Sequence, residues 1–240
     1  MIEVSGLTVR FGGVVSIDDL SVTFPTGTCG LIGPNGAGKT TFFNVLSGFV
    51  TPASGRVTAD DIDLLAMPDF KRARWGLRRT FQTEQAIESL SVYDNVLTVY
   101  EHTASKGGRG SASRAVMSAL ELAGLADRAQ APVGTLAASS RRMVEVARAM
   151  VGSPKVILLD EPAAGLPEGE TEHLAAVIKE IPERIGATVV VVEHDMSLVQ
   201  ACCSTIAVLD FGRLIASGPT QEVLRNPIVL AAYLGTEDVA

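Results

Sequence analysis

The segment from Gly33 to Thr41 reads "GPNGAGKTT" and satisfies the spacing G-x-x-x-x-G-K-[ST]. It follows a short apolar run, "TCGLI", and leads into a helical segment beginning near Lys39. A strand, a glycine-rich turn and a helix N-terminus in that order form a cradle for phosphate. The glycines let backbone N–H groups close around phosphate oxygens without side-chain clashes. Lys39 adds a point charge for the outer phosphates, and the helix N-terminus adds a favourable dipole. The hydroxyl of Thr40 suits Mg²⁺. The loop therefore predicts a nucleoside triphosphate held by Asn35, Gly36, Ala37, Gly38, Lys39, Thr40 and Thr41.

The surrounding pattern is that of an α/β chain. Two alternating segments, "IEVSGLTVRF" and "VVSIDDLSVTF", read as antiparallel strands joined at Gly12-Gly13. "KVILLD" and "TVVVVEH" read as buried strands separated by a helix over about Glu168 to Glu183, and "TIAVLD" with "GRLIAS" reads as a closing strand pair. Strands alternating with helices predict a parallel core. Between residues 84 and 153 helical segments follow one another without a strong strand. The glycine- and serine-rich stretch from Lys106 to Ser113 reads as a flexible linker among them. The expectation is one domain over residues 1–240, with a nucleotide-binding core of residues 1–83 and 154–240 and an inserted helical subdomain of residues 84–153. Within the insertion, "LAASSRRMVEVARAM" reads as an amphipathic helix. Met143, Val146, Ala147 and Met150 share its apolar face, and Arg141, Arg142, Glu145 and Arg148 lie largely off it.

Three further positions carry chemistry. "VILLDEP" puts Asp160 at the C-terminal end of a buried strand, where α/β folds bind ligands. Asp160 suits a water-mediated hold on Mg²⁺, and Glu161 suits proton acceptance from an attacking water. The phosphate loop upstream favours this over the start of a solvated loop. "VEHD" puts His194 at the carboxyl end of a neighbouring strand, within reach of a γ-phosphate or of the water beside Glu161. Gln82, in "RRTFQ" at the start of the insertion, is a polar residue able to reach both the metal and whatever moves with the insertion. A structural role stays open for His194 and for Gln82.

Bulk properties narrow the class. A net charge of −7 argues against general nucleic-acid binding. Hydrophobic residues make up 47%, yet every apolar run is far shorter than the roughly 20 residues that span a bilayer. The start "MIEVSG" predicts neither signal peptide nor anchor. Cys29, Cys202 and Cys203 form neither metal spacing nor a disulfide framework, which predicts a reduced, cytosolic setting.

In this order the pieces resemble the ATP-binding subunits of ABC transporters, over nearly the whole chain. "GPNGAGKTT", "TFQ", "VILLDEP" and "VEHD" are similar to that family's two nucleotide motifs, glutamine loop and histidine switch. The resemblance implies a P-loop NTPase core with an N-terminal antiparallel β subdomain and an inserted α-helical subdomain. It also implies ATP and Mg²⁺ as cofactors, with Thr40, Gln82 and Asp160 at the metal and Glu161, His194 and Gln82 in catalysis. Phe11 lies where the family puts an aromatic that stacks on adenine; a core phenylalanine on an alternating strand is the other reading.

"RRTFQ", "LSVYDNV", "DEPAAGL" and "NPIVLAAYLG" look like the ATPases of branched-chain or hydrophobic amino-acid uptake, whose relatives move urea, amides and small carboxylates. Lipid- or lipopolysaccharide-export ATPases and a soluble, non-transporting ABC scaffold are the alternatives. The implied partners are a second ATPase subunit, with two ATPs sandwiched between the pair, integral membrane permeases and an extracytoplasmic binding protein. The chain itself is expected at the cytoplasmic face of the membrane, held there by the permeases.

The family signature L-S-G-G-Q, which faces the opposite subunit's ATP, aligns with "LAASS". Ala137 replaces the serine, Ala138 and Ser139 the glycines, and Ser140 the glutamine; Ser139 or Ser140 could still donate a hydroxyl. After "DEPAAGL" stands Pro167, where the family has Asp or Asn. Elements serving the chain's own ATP are intact and those lent to a partner's ATP are eroded. This predicts an asymmetric heterodimer.

Overall fold

A computed structural model describes residues 1–103 and 109–234. Strands β1 (Ile2–Phe11) and β2 (Val14–Phe24) form the expected antiparallel hairpin, with Phe11 opposite Val14 across the Gly12-Gly13 turn. Alternation explains it: Ile2, Val4, Leu7 and Val9 are buried on one strand, and Ile17, Leu20, Val22 and Phe24 on the other. β3 (Thr28–Ile32) is buried throughout and runs through the glycine loop into α1 (Lys39–Ser47). Two short strands with little alternation, β4 (Ser54–Ala59) and β5 (Ile62–Asp63), complete an antiparallel sheet ordered β2-β1-β4-β5. Helix α2 (Asp69–Trp75) and the three-residue strand β6 (Leu77–Arg79) follow.

Helices α3 (Val92–Thr103), α4 (Arg109–Leu122) and α5 (Ala138–Met150) occupy the stretch read as helical. The expected linker is corrected here. From Arg109 to Ser113 it is the first turn of α4, and residues 106–108 lie outside those described. Val116, Ala119, Leu120 and Ala123 bury one face of this segment, and the Tyr100 hydroxyl lies 3.2 Å from Ser111 Oγ, so packing overrides the poor propensity of Gly110 and its serines.

A second correction concerns α5. Its apolar face is buried as expected, but Arg142 and Glu145 are buried too. Arg142 donates to the Phe81 carbonyl, and Glu145 accepts from Gln85 N–H and from Arg148. The polar flank of α5 thus meets the backbone around Gln82 rather than water.

The chain then alternates as expected: β7 (Val156–Asp160), α6 (Glu168–Ile185), β8 (Thr188–Val192), α7 (Met196–Cys202), β9 (Thr205–Asp210) and β10 (Arg213–Pro219). Helices α8 (Thr220–Val223) and α9 (Pro227–Leu234) end the described chain. The second sheet is ordered β10-β9-β3-β8-β7-β6, parallel except for the β9–β10 pair. One apolar cluster joins Ile157 and Leu159 of β7 to Val144, Val146 and Ala147 of α5, so the helices share a core with the sheet. No helix of the described residues is long and apolar enough to cross a membrane.

The β9–β10 turn carries a local conflict. Phe211 and Gly212 both have positive φ, 43° and 79°, and Phe211 is 86% exposed. A two-residue turn of this kind favours Asn or Asp at its first position. Phe211→Asn is expected to raise unfolding stability by about 1 kcal/mol, read from the shift in urea midpoint at unchanged m-value.

Candidate functional site

The sheet order explains why residues scattered along the chain meet. β3, β8, β7 and β6 are parallel neighbours, so their carboxyl ends form one edge. The phosphate loop leaves β3, His194 follows β8, Glu161 follows β7 and Gln82 follows β6. A cavity of about 270 Å³ lies there, lined by Asn35 to Thr41 together with Ser16, Gln82, Glu161 and His194. Lys39, Thr40, Gln82, Glu161 and His194 are therefore brought together as expected. Ser16 was not legible in advance; its hydroxyl lies 2.8 Å from Thr41 Oγ1, tying β2 to the loop.

The loop's shape rests on two glycines. A Cβ on Gly33 would lie 2.1 Å from the Leu209 carbonyl oxygen, and one on Gly38 would lie 2.7 Å from that of Ser16. Both have φ well above zero. Lys39 Nζ donates to the carbonyls of Gly33 (2.7 Å) and Pro34 (2.9 Å), which holds its charge inside the loop. Burial pushes the Lys39 ammonium below its ordinary pKa, and the negative charges of Glu161 and Asp160 partly offset this.

Glu161 has φ +48° immediately after β7, and its N–H donates to the Val192 carbonyl (2.9 Å). This backbone carries the carboxylate into the cavity, where Oε1 lies 3.2 Å from His194 Nε2. A bulky residue in that region of φ is unusual, and such outliers gather at functional sites.

Asp160 stands behind the cavity wall rather than on it. Its Oδ2 accepts from the Arg79 guanidinium (2.9 Å) in a buried ion pair, while Oδ1 has no partner among the described residues. Burial raises the Asp160 pKa, against the hydrogen bond and charge of Arg79. An unpartnered buried carboxylate oxygen fits the metal that the family resemblance implies. Arg79 also donates to Asn44 Oδ1 (2.7 Å) and lies over the rings of Phe81, Phe43 and Phe49. The signal for Arg79 was present in "RRTFQ", but which of its two arginines turns to Asp160 depends on the register of β6 against β7.

Phe11 and the residues expected at a partner's nucleotide sit apart from this cavity. Phe11 is 51% exposed at the end of β1, which rules out the core reading. Ser139 and Ser140, in the first turn of α5, line a different cavity with Leu166, Gly169, Glu170 and His173. Ala137 is the N-cap of α5 and gives no side-chain cap, and Pro167 is the N-cap of α6.

Residues 17–164 match the family described as ABC transporter. The chain belongs to the ABC transporter family. Its ATP-hydrolysing subunits bind ATP and ADP, and the chain is one of these ATPases. Residues 213–239 match a second family, branched-chain amino acid ATP-binding cassette transporter. The chain is similar to the high-affinity branched-chain amino acid transport ATP-binding protein LivG of Escherichia coli K12, 37% identical with 98% of each chain covered. It is also similar to BraF of Pseudomonas aeruginosa, of the same description, at 35% identity and 98% of each. Among solved structures, the ADP conformation of an ATP-binding cassette of an ABC transporter superposes with a TM-score of 0.86 at 26% identity, covering 98% of both chains. A nucleotide-free cassette superposes with a TM-score of 0.85 at 25% identity, covering 97% of this chain and 98% of that one.

Proposed function

We propose that this ATPase powers uptake of branched-chain amino acids or related small solutes. The convergence of Lys39, Gln82, Glu161 and His194 on one cavity carries the hydrolytic part of this reading. Similarity to LivG and BraF across almost the whole chain supports the substrate class.

Residues 84–153 act as a helical subdomain on a core of residues 1–83 and 154–240. Asn35 to Thr41 and the Lys39 ammonium hold the phosphates, and Phe11 offers an exposed ring to adenine. Thr40, Gln82 and Asp160 would hold Mg²⁺, which when bound neutralises charge on the transferred phosphoryl group. Glu161 takes the proton of the attacking water, and His194 fixes the Glu161 carboxylate. Exclusion of water by a second subunit strengthens each of these interactions.

The second subunit is a different ATPase. Ala137, Ser139, Ser140 and Pro167 are what this chain lends to the partner's nucleotide, and they lack the usual glycines and acidic residue. Integral membrane permeases supply the pore and hold this subunit at the cytoplasmic face, and an extracytoplasmic binding protein delivers solute. Purified alone, the chain is expected to hydrolyse ATP weakly, because a homodimer pairs two eroded signatures. In proteoliposomes with its permeases and second ATPase, hydrolysis rises and drives accumulation of labelled leucine, isoleucine or valine. Robust hydrolysis by the lone homodimer would overturn the heterodimer. Hydrolysis indifferent to these amino acids in the full system would overturn the substrate class.

A further inference from the structure

Glu193, the residue between β8 and His194, is buried although it carries a carboxylate, and the reaction described above makes no use of it. Its two oxygens serve two different loops. Oε1 accepts from Ala163 N–H (2.7 Å), in the turn that follows Glu161. Oε2 accepts from His194 N–H (2.9 Å) and Asp195 N–H (3.3 Å). The Glu161 turn is closed on its own side by Ala164 N–H donating to the Glu161 carbonyl (3.1 Å). Asp195 in turn caps α7 by accepting from Ser197 and Leu198 N–H, which anchors the His194 side. A ring of contacts results, running from Glu161 through its turn to Ala163, across Glu193 to His194, and back to Glu161 through the 3.2 Å imidazole–carboxylate contact.

The geometry points to Glu193 as a positioning residue that fixes the Glu161–His194 pair, an inference that rests on the roles proposed for those two groups. A carboxylate is required here for a chemical reason. Both oxygens face N–H donors, and an ionised acid is acceptor-only at both. A glutamine of the same shape has one acceptor and one donor. Whichever way its amide turns, an N–H confronts either Ala163 N–H or the two amides at His194 and Asp195. Glu193→Gln therefore releases one loop from the ring without opening a cavity. The phosphate loop is untouched, because Glu193 makes no contact there among the hydrogen bonds of the described residues.

The test is steady-state hydrolysis by the assembled transporter. Glu193→Gln is expected to lower kcat by about 10²-fold, the cost of displacing a reacting group by roughly 1 Å, with KM for ATP unchanged. In a cycle with His194→Ala the losses should not add, because both substitutions loosen the same carboxylate. Should Glu193→Gln fail to assemble, Glu193→Asp carries the same test, since it keeps the charge but is one methylene too short to span both loops. Unchanged kcat in a folded variant, a parallel rise in KM, or losses that add with His194→Ala would each overturn the inference. The roles of Glu161 and His194 are judged separately. If Glu161→Gln leaves turnover intact, those roles fail; if Glu161→Gln abolishes turnover and Glu193→Gln does not lower it, only the positioning role fails.

Discussion

Glu161→Gln in this subunit is expected to lower ATP turnover by the assembled transporter by about 10²–10⁴-fold, the usual worth of a positioned general base, while ATP affinity is retained. The amide keeps the size of the carboxylate and can still meet His194 Nε2, now 3.2 Å from Glu161 Oε1, but it cannot accept the proton of water. Lys39 loses one of the two negative charges that offset its burial, so its ammonium falls further below its ordinary pKa. It remains held by the Gly33 and Pro34 carbonyls, and phosphate binding survives. In the heterodimer proposed above, where Ala137, Ser139, Ser140 and Pro167 would complete the partner's site, the matching substitution in the partner ATPase is expected to lower turnover far less. Equal losses from the two substitutions, measured as phosphate release, would sink the asymmetry. Retention of full turnover by Glu161→Gln would remove Glu161 from catalysis altogether.

How much of this was written locally in the chain can be judged residue by residue. The β1–β2 hairpin and β3 announced themselves by alternation or by unbroken burial, and the phosphate loop by glycines at fixed spacing. Asp160, Glu161 and His194 were placed by a simple rule, that apolar strands in a parallel sheet end at the ligand. β4, "SGRVTA", escaped because it carries no apolar run, and β5 and β6 because they are very short, with two arginines in β6. Arg78 and Arg79 look like surface residues, yet both are nearly excluded from solvent. Arg78 survives by donating to the Ala73, Leu77 and Gly152 carbonyls, and burial pushes its pKa down to about 10. Arg142, Glu145 and Glu193 pose the same difficulty. Each is buried because of a backbone group that is remote in sequence or in a neighbouring loop, and periodicity carries no record of such partners. Ser16 is similar, since its importance comes only from Thr41 lying across from it. Most side chains lining the cavity were therefore legible, Ser16 apart, and the buried polar frame behind them was not.

That frame gives the largest expected effect on stability. Arg79→Met is expected to destabilise the fold by about 3–5 kcal/mol, the typical result of removing one partner from a buried ion pair. Asp160, whose side chain is only 3% exposed, would be left with neither oxygen bonded to a side chain, since Arg79 alone reaches Oδ2. Asn44 loses its guanidinium partner as well, and the rings of Phe81, Phe43 and Phe49 lose a cation. The pH dependence has a definite sign. Burial already raises the Asp160 pKa, and the hydrogen bond and charge of Arg79 are what oppose it. Without Arg79 the folded-state pKa climbs further above the unfolded value of about 3.9, so the folded state binds the proton more tightly than the unfolded one. Stability of the variant then falls as pH rises above that unfolded value and levels off once the folded carboxyl has ionised. The deficit against the parent chain is full at neutral pH and shrinks as pH falls. Adding Asp160→Asn should recover part of the loss at neutral pH, because no charge is left buried. Arg79→Lys should fall between, since an ammonium can meet Asp160 but cannot also reach Asn44 with the same planar fork. Urea denaturation across pH checks all three variants. A loss below about 1 kcal/mol for Arg79→Met, the range of exposed pairs, would show that Asp160 does not depend on this arginine and that the ion pair is only one of several equivalent arrangements.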